Sequence, residues 1–145
     1  MDFEKQLNQV LNNSEISEQD KISQIADIGD YLKYGDIDRE TAIIYLDILI
    51  RYLVKQNNDD VKEEMLGIIL DTEDARVIDK ELDLTPIISN LSHFNVQCIS
   101  YVLSILGYSG RKDYIPYIEK FKEISSLEED VEDALYELKY RSENN

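Results

Sequence analysis

The 145-residue sequence holds one cysteine, one histidine, two prolines, five glycines and no tryptophan. Each scarcity excludes something. A lone Cys98 cannot form an intramolecular disulfide, which fits a reducing compartment. A lone His93 leaves no His–His metal pair. So little proline and glycine suits long helices rather than a meander of tight hairpins. The longest apolar stretch, Ala42 to Val54, is interrupted by Asp47 and Arg51, and falls short of the roughly 18 apolar residues of a membrane span. Positive charge is scarce too: 15 Lys and Arg stand against 31 Asp and Glu, a net charge of −16. Such a field repels nucleic acid and anionic membranes and steers basic partners inward. The segment Met1–Lys5 carries no apolar signal core. A soluble cytoplasmic protein is expected.

What is present is helical periodicity, in a chain apolar enough for one continuous core. Asp2 caps a first helix carrying Phe3, Leu7, Val10 and Leu11. Ser17 caps a second, through Leu32, with Gly35 placed as a left-handed closing glycine. Asp38 opens a third, apolar on nearly every face up to Val54, as a central helix would be. Asp59 or Asp60 opens a fourth through Ile69. The acidic segment Asp71–Asp83 reads as a loop with one or two helical turns around Ala75–Lys80. Thr85-Pro86 starts a short helix to Leu91. Asn95 caps a sixth, Val96 to Leu106, stopped by Gly107. A seventh covers about Lys112 to Glu123. The last, Leu127 to Arg141, begins with Ser126 and Glu129 as a capping box. One domain over residues 1–141 is expected, with a frayed tail at 142–145.

The pattern recurs. At an offset of 35 residues Asp60, Asn95 and Asp130 take a cap position, and Val61, Val96 and Val131 follow. Ile68, Leu103 and Leu138 mark a core row, and Leu66, Tyr101 and Tyr136 another face. Thr85-Pro86-Ile87-Ile88 matches Ile115-Pro116-Tyr117-Ile118 at an offset of 30. This order of cap, Val, amphipathic helix, loop and helix with an early Pro resembles the HEAT repeat family. The match is good over Asp59–Arg141 and weaker before it, where Ile22–Leu32 and Thr41–Val54 could form one diverged pair. The resemblance implies an all-α protein of seven to eight helices, stacked as antiparallel HEAT-like pairs in a short right-handed α-solenoid. In such stacks each pair buries its apolar face against its neighbours.

Catalytic constellations are missing. Cys98 sits mid-helix among apolar residues and reads as a buried, inert thiol. His93 reads as a helix-end residue without a third partner for a Cys–His dyad. The paired acids read as caps and solvated faces. No phosphate-cradling glycine loop or calcium-loop spacing is present. No enzyme activity, metal or cofactor is expected.

The charge, in contrast, is blocked. Asp59 to Asp83 holds ten acids and three bases, and Glu123 to Glu137 holds seven acids and no base. Tyr136 and Tyr140 stand one turn apart beside Glu132, Asp133 and Glu137. Tyr101 occupies the equivalent row of the sixth helix, with Tyr108 in the loop beyond. Tyrosine among carboxylates suits an Arg-rich partner, because the ring stacks on the guanidinium and the acids pair it. These residues, with Asp71, Glu73 and Asp74 of the first block, are the candidate partner-binding set. The alternative is a face kept for solubility, with Tyr136 and Tyr140 packed on a neighbouring helix.

A small, acidic, HEAT-like protein rich in Asn, Ile, Tyr and Asp/Glu resembles the immunity proteins of bacterial polymorphic toxin systems, including contact-dependent growth inhibition. The resemblance implies an antitoxin, monomeric alone, binding one-to-one to a cognate basic toxin domain, a nuclease, and masking its active site or substrate groove. No direct nucleic-acid or membrane binding is implied. Other readings are a HEAT-like scaffold or adaptor, an acidic nucleic-acid mimic and, last, a lyase-like HEAT enzyme.

Overall fold

A computed structural model describes residues 2–144. Met1 and Asn145, the ends of the expected domain and tail, lie outside the described residues. The described residues form eight α-helices and no strand: α1 (Phe3–Leu11), α2 (Glu18–Tyr34), α3 (Arg39–Leu53), α4 (Asp59–Arg76), α5 (Thr85–Ile88), α6 (Val96–Ser109), α7 (Ile115–Glu119) and α8 (Glu128–Glu143). Neighbours pack antiparallel.

Local chemistry sets the starts. The side chains of Asp2, Ser17, Asp38, Asn58 and Asn95 each accept a hydrogen bond from a first-turn N–H, so five helices begin on a satisfied cap. The cap of α4 is Asn58, one residue before the expected acids. α8 has no side-chain cap, so Ser126 and Glu129 form no capping box. Glu128, Glu129 and Asp130 occupy its first turn instead, where negative charge complements the helix dipole.

The long helices α2, α4, α6 and α8 lie side by side in that order, while α1, α3 and α5 follow one another on their other flank. α3 packs chiefly on α4, α7 on α8 and α1 on α2. The expected pairing of Ile22–Leu32 with Thr41–Val54 is therefore replaced by α1 with α2 and α3 with α4. One apolar core runs through the stack from Phe3 to Leu138. The Phe3 ring stacks on Tyr45 at 4.4 Å between centroids, and the Tyr52 hydroxyl donates to Glu4 at 2.9 Å. α6 buries both of its sides, with Cys98, Val102 and Ile105 on one and Ile99, Leu103 and Leu106 on the other. α8 buries only Val131, Ala134 and Leu138, as a terminal helix should.

The 35-residue register holds for one row only. Ile68, Leu103 and Leu138 are all buried. Val61 and Val131 are buried but Val96 is 42% exposed, and Leu66 is buried where Tyr136 is 73% exposed. Asp130 lies inside α8 and caps nothing. α8 starts two residues before Asp130 while α6 starts just after Asn95, so the cap positions do not correspond.

Two glycine roles also differ from expectation. Gly35 is extended, not left-handed. A Cβ there would lie 2.4 Å from the Tyr31 carbonyl oxygen. Gly107 does not stop α6, which continues to Ser109 and closes on left-handed Gly110. A Cβ at Gly107 would meet the Ala134 carbonyl oxygen at 2.9 Å and its Cα at 3.0 Å, so this glycine lets α6 and α8 touch backbone to backbone. Gly29 lets α4 approach α2 through a side chain, since a Cβ there would meet Ile68 Cγ1 at 2.6 Å.

Candidate protein-docking face

α4 is longer than the periodicity of its apolar residues suggests. Residues 71–76, expected in a loop, are its last turns, and it ends at Val77, a β-branched residue at φ 55°. That conformation is strained for valine and is held by long-range contacts. Arg76 donates to the carbonyls of Leu32, Gly35 and Ile37 at 2.6, 2.9 and 3.1 Å, binding the last turn of α2 and the segment after it. Arg39 donates to the Val77 carbonyl at 3.2 Å and pairs with Glu81.

The extension adds Asp71 to the acids at helical spacing down one side of α4. Asp60, Glu63, Glu64 and Asp71 line a groove of about 410 Å³ between α2, α4 and α6, with Asp30 on α2 opposite and Tyr101 on α6. Lys33 is the only cation among its described lining residues, 3.6 Å from Asp71. The acids crowd one another: burial, then the charges of Asp71, Glu63 and Asp30, raise the Glu64 carboxyl above its usual range. The Tyr101 hydroxyl is raised by burial and by Glu63, Asp71 and Glu64.

Tyr101, Ser104 and Tyr108 fall on one side of α6 by their spacing of three and four. Ser104 and Tyr108 line a second groove of about 330 Å³, closed by Asp133, Ala134, Tyr136 and Glu137 of α8. Where α8 ends, Arg141 gathers the neighbouring acids. Its guanidinium lies 3.1 Å from Asp79, 3.4 Å from Glu137 and 3.8 Å from Asp74, and 4.3 Å above the Tyr108 ring.

The expected binding set therefore divides. Asp71 and Tyr101 meet in the first groove; Tyr108, Asp133, Tyr136 and Glu137 meet in the second; Asp74 joins them through Arg141. Glu132 and Tyr140 are exposed on α8 but line neither groove. Glu73 is corrected outright: it is 0% exposed, because it lies two residues from Asp71 and so turns to the opposite side of α4. Burial, then Asp79, pushes its carboxyl well above the usual range. Neither of its oxygens has a hydrogen-bond partner among the described residues.

Asp30, Glu63, Glu64, Gly67 and Thr72 belong to the first groove without having been singled out. Their signal was present as an acidic stripe at 3.6-residue spacing through Asp60, Glu64, Gly67 and Asp71. Cys98 is buried, and burial pushes its thiol up to about 11; His93 is exposed in a 3-10 turn. Among the described residues no group of three or more His, Cys, Asp or Glu side chains could hold a metal ion. No helix of these residues is long and apolar enough to cross a membrane. Comparison with protein-family models, with curated proteins and with solved structures finds no match.

Proposed function

We propose that this protein is an immunity protein, acting by binding rather than catalysis. In the cytoplasm of a bacterial cell it captures the basic domain of a delivered toxin, a nuclease, in a one-to-one complex and masks the surface that holds the substrate. The observation that carries this reading is the alignment of tyrosines and carboxylates from α4, α6 and α8 along two adjoining grooves. A nuclease presents cations where it grips phosphates. A rigid acidic face with aromatic anchors competes for those cations, gaining association rate from charge and residence from stacking.

The test is genetic and then biophysical. The gene beside this one is expected to encode a toxin, and co-expression of this protein is expected to restore growth. No toxin gene in the neighbourhood and no protection from any delivered toxin overturns the reading. In the purified complex, Asp133→Lys with Glu137→Lys is expected to slow association about 10- to 100-fold, most strongly at low salt. Unchanged association moves the interface off the α6–α8 groove. Competition of DNA for the protein's partners, relieved by modest salt, would instead mark a nucleic-acid mimic.

A further inference from the structure

Neighbouring long helices do not close on one another alike. α2 meets α4 through Gly29 against Ile68, and α6 meets α8 through Gly107 against Ala134; at both crossings a Cβ would collide. Between α4 and α6 the corresponding residue is Gly67, and a Cβ there would meet only Tyr101 Cε1, at an ordinary 3.6 Å. Gly67 lies mid-helix, does not have a positive φ, and has room for a side chain. An interior helical glycine is less favourable than alanine, and packing of the fold does not require it here. What it does is keep the first groove open.

The groove holds a second unexplained feature. Thr72 lines it, is 0% exposed, and its hydroxyl has no hydrogen-bond partner among the described residues. A buried hydroxyl left unpaired is costly, and this one stands in the wall of an acidic groove. The carboxylates approach from two sides, Asp30 on α2 and Glu64 and Asp71 on α4, with the Tyr101 ring on α6. Lys33 neutralises only Asp71, and five acids line the groove.

We infer that the α2–α4–α6 groove is a receptor for one arginine side chain of the partner, kept open by Gly67 and lined by Asp30, Glu64, Asp71, Thr72 and Tyr101. Arginine fits better than lysine because its flat guanidinium carries five donors in a fixed fork and stacks on an aromatic face, while an ammonium is a strongly hydrated point charge. The inference rests on the reading that the acidic face meets a basic protein, and names the side chain that enters it.

The full-length protein, isotope-labelled, is titrated at constant ionic strength with N-acetyl-arginine-N-methylamide and separately with its lysine counterpart. Saturable shifts are expected at Gly29, Gly67, Thr72 and Tyr101, with arginine at least about threefold tighter than lysine. Gly67→Leu is expected to fill the groove and weaken the arginine probe at least about tenfold, while melting no lower than the parent because a better helix former replaces glycine. Asp71→Asn, which leaves the groove unfilled, is expected to weaken the probe as well. Equal affinity for lysine, shifts that never saturate or that spread equally to Asp133 and Glu137, or full binding by Gly67→Leu each overturn the inference. A toxin partner that binds Gly67→Leu at full strength sinks this inference alone. An arginine probe that binds while no toxin partner exists sinks the immunity reading alone.

Discussion

The two acidic blocks carry the same net charge and meet different fates. In the block from Glu123 to Glu137 every acid is exposed or half-exposed. In the block from Asp59 to Asp83, Asp60, Asp71 and Asp74 face solvent, while Glu73 and Asp79 lie inside the fold. What separates them is phase and length. α8 has a neighbour on one side only, so all its acids find water. α4 runs between α2 and α6 with α3 behind it, its last turns carry Glu73 at a position whose phase points inward, and Asp79 is buried in the turn beyond its end. Charge counted along a sequence therefore measures a field and not a surface.

Arg141 joins the two regions, and removing it is expected to break the comparison most severely. It pairs Asp79 and Asp74 of the first block with Glu137 of the second and covers the Tyr108 ring. Arg141→Ala leaves Asp79 buried without its nearest cation. Loss of one partner from a buried pair costs 3–5 kcal/mol, and since Arg141 is a quarter exposed about 2–3 kcal/mol of unfolding free energy is expected to go. Arg141→Lys is expected to recover less than half of it, because one ammonium cannot reach three carboxylates and stack on a ring. Urea unfolding of both variants measures this, and a loss below about 0.5 kcal/mol for Arg141→Ala, the range of an ordinary surface change, would mean that the blocks are not coupled through it.

The sequence made the helices legible and the buried acids illegible. Caps at Asp2, Ser17, Asp38 and Asn95 and the apolar rows between them were readable because each is a short-range rule. The two-sided burial of α6 and one-sided burial of α8 followed from the same periods. The end of α4 was not readable: nothing local marks Val77 as a left-handed terminus, since its conformation depends on Arg39 and Arg76 reaching across 38 and 41 residues. Nor was the role of Gly107, which is set by the approach of Ala134. Asp71 with Tyr101, and Tyr108 with Glu137, were legible as groove-lining residues by their helical spacing. Glu73 was misplaced because its block looked like loop, where phase has no meaning.

Glu73 sharpens the comparison next. Burial raises its carboxyl, and raises Asp79 to about 6 from 3.8. Folded carboxyls with raised pKa bind protons more tightly than the unfolded chain does, so the native state is favoured at low pH. For Asp79 that advantage is lost as pH rises from about 3.8 to about 6. Asp38 acts oppositely: its hydrogen bonds with Thr41 lower its carboxyl, so its contribution is lost only as pH falls below the usual carboxylate range. The urea midpoint is expected to be higher at pH 5 than at pH 7.5. Glu73→Gln is expected to flatten that slope and to add about 1 kcal/mol at pH 7.5. A slope unchanged in Glu73→Gln would assign it to the exposed acids.

The exposed block supplies the smallest effect on stability, and the smallness carries the meaning. Glu132 and Asp133 are exposed on α8 and, among the described residues, take part in no salt bridge. Reversing either to Lys changes only a solvated charge, so stability is expected to move within about 0.5 kcal/mol, upward if at all because the net charge of −16 is relieved. The two differ in place, since Asp133 lines the α6–α8 groove and Glu132 does not. Asp133→Lys is therefore expected to slow capture of a basic partner several-fold more than Glu132→Lys, with both proteins melting together. Equal slowing by the two reversals would mean that the partner responds to the field of the block as a whole. Unequal slowing at equal stability would mean that the groove, and not the charge count, makes the contact.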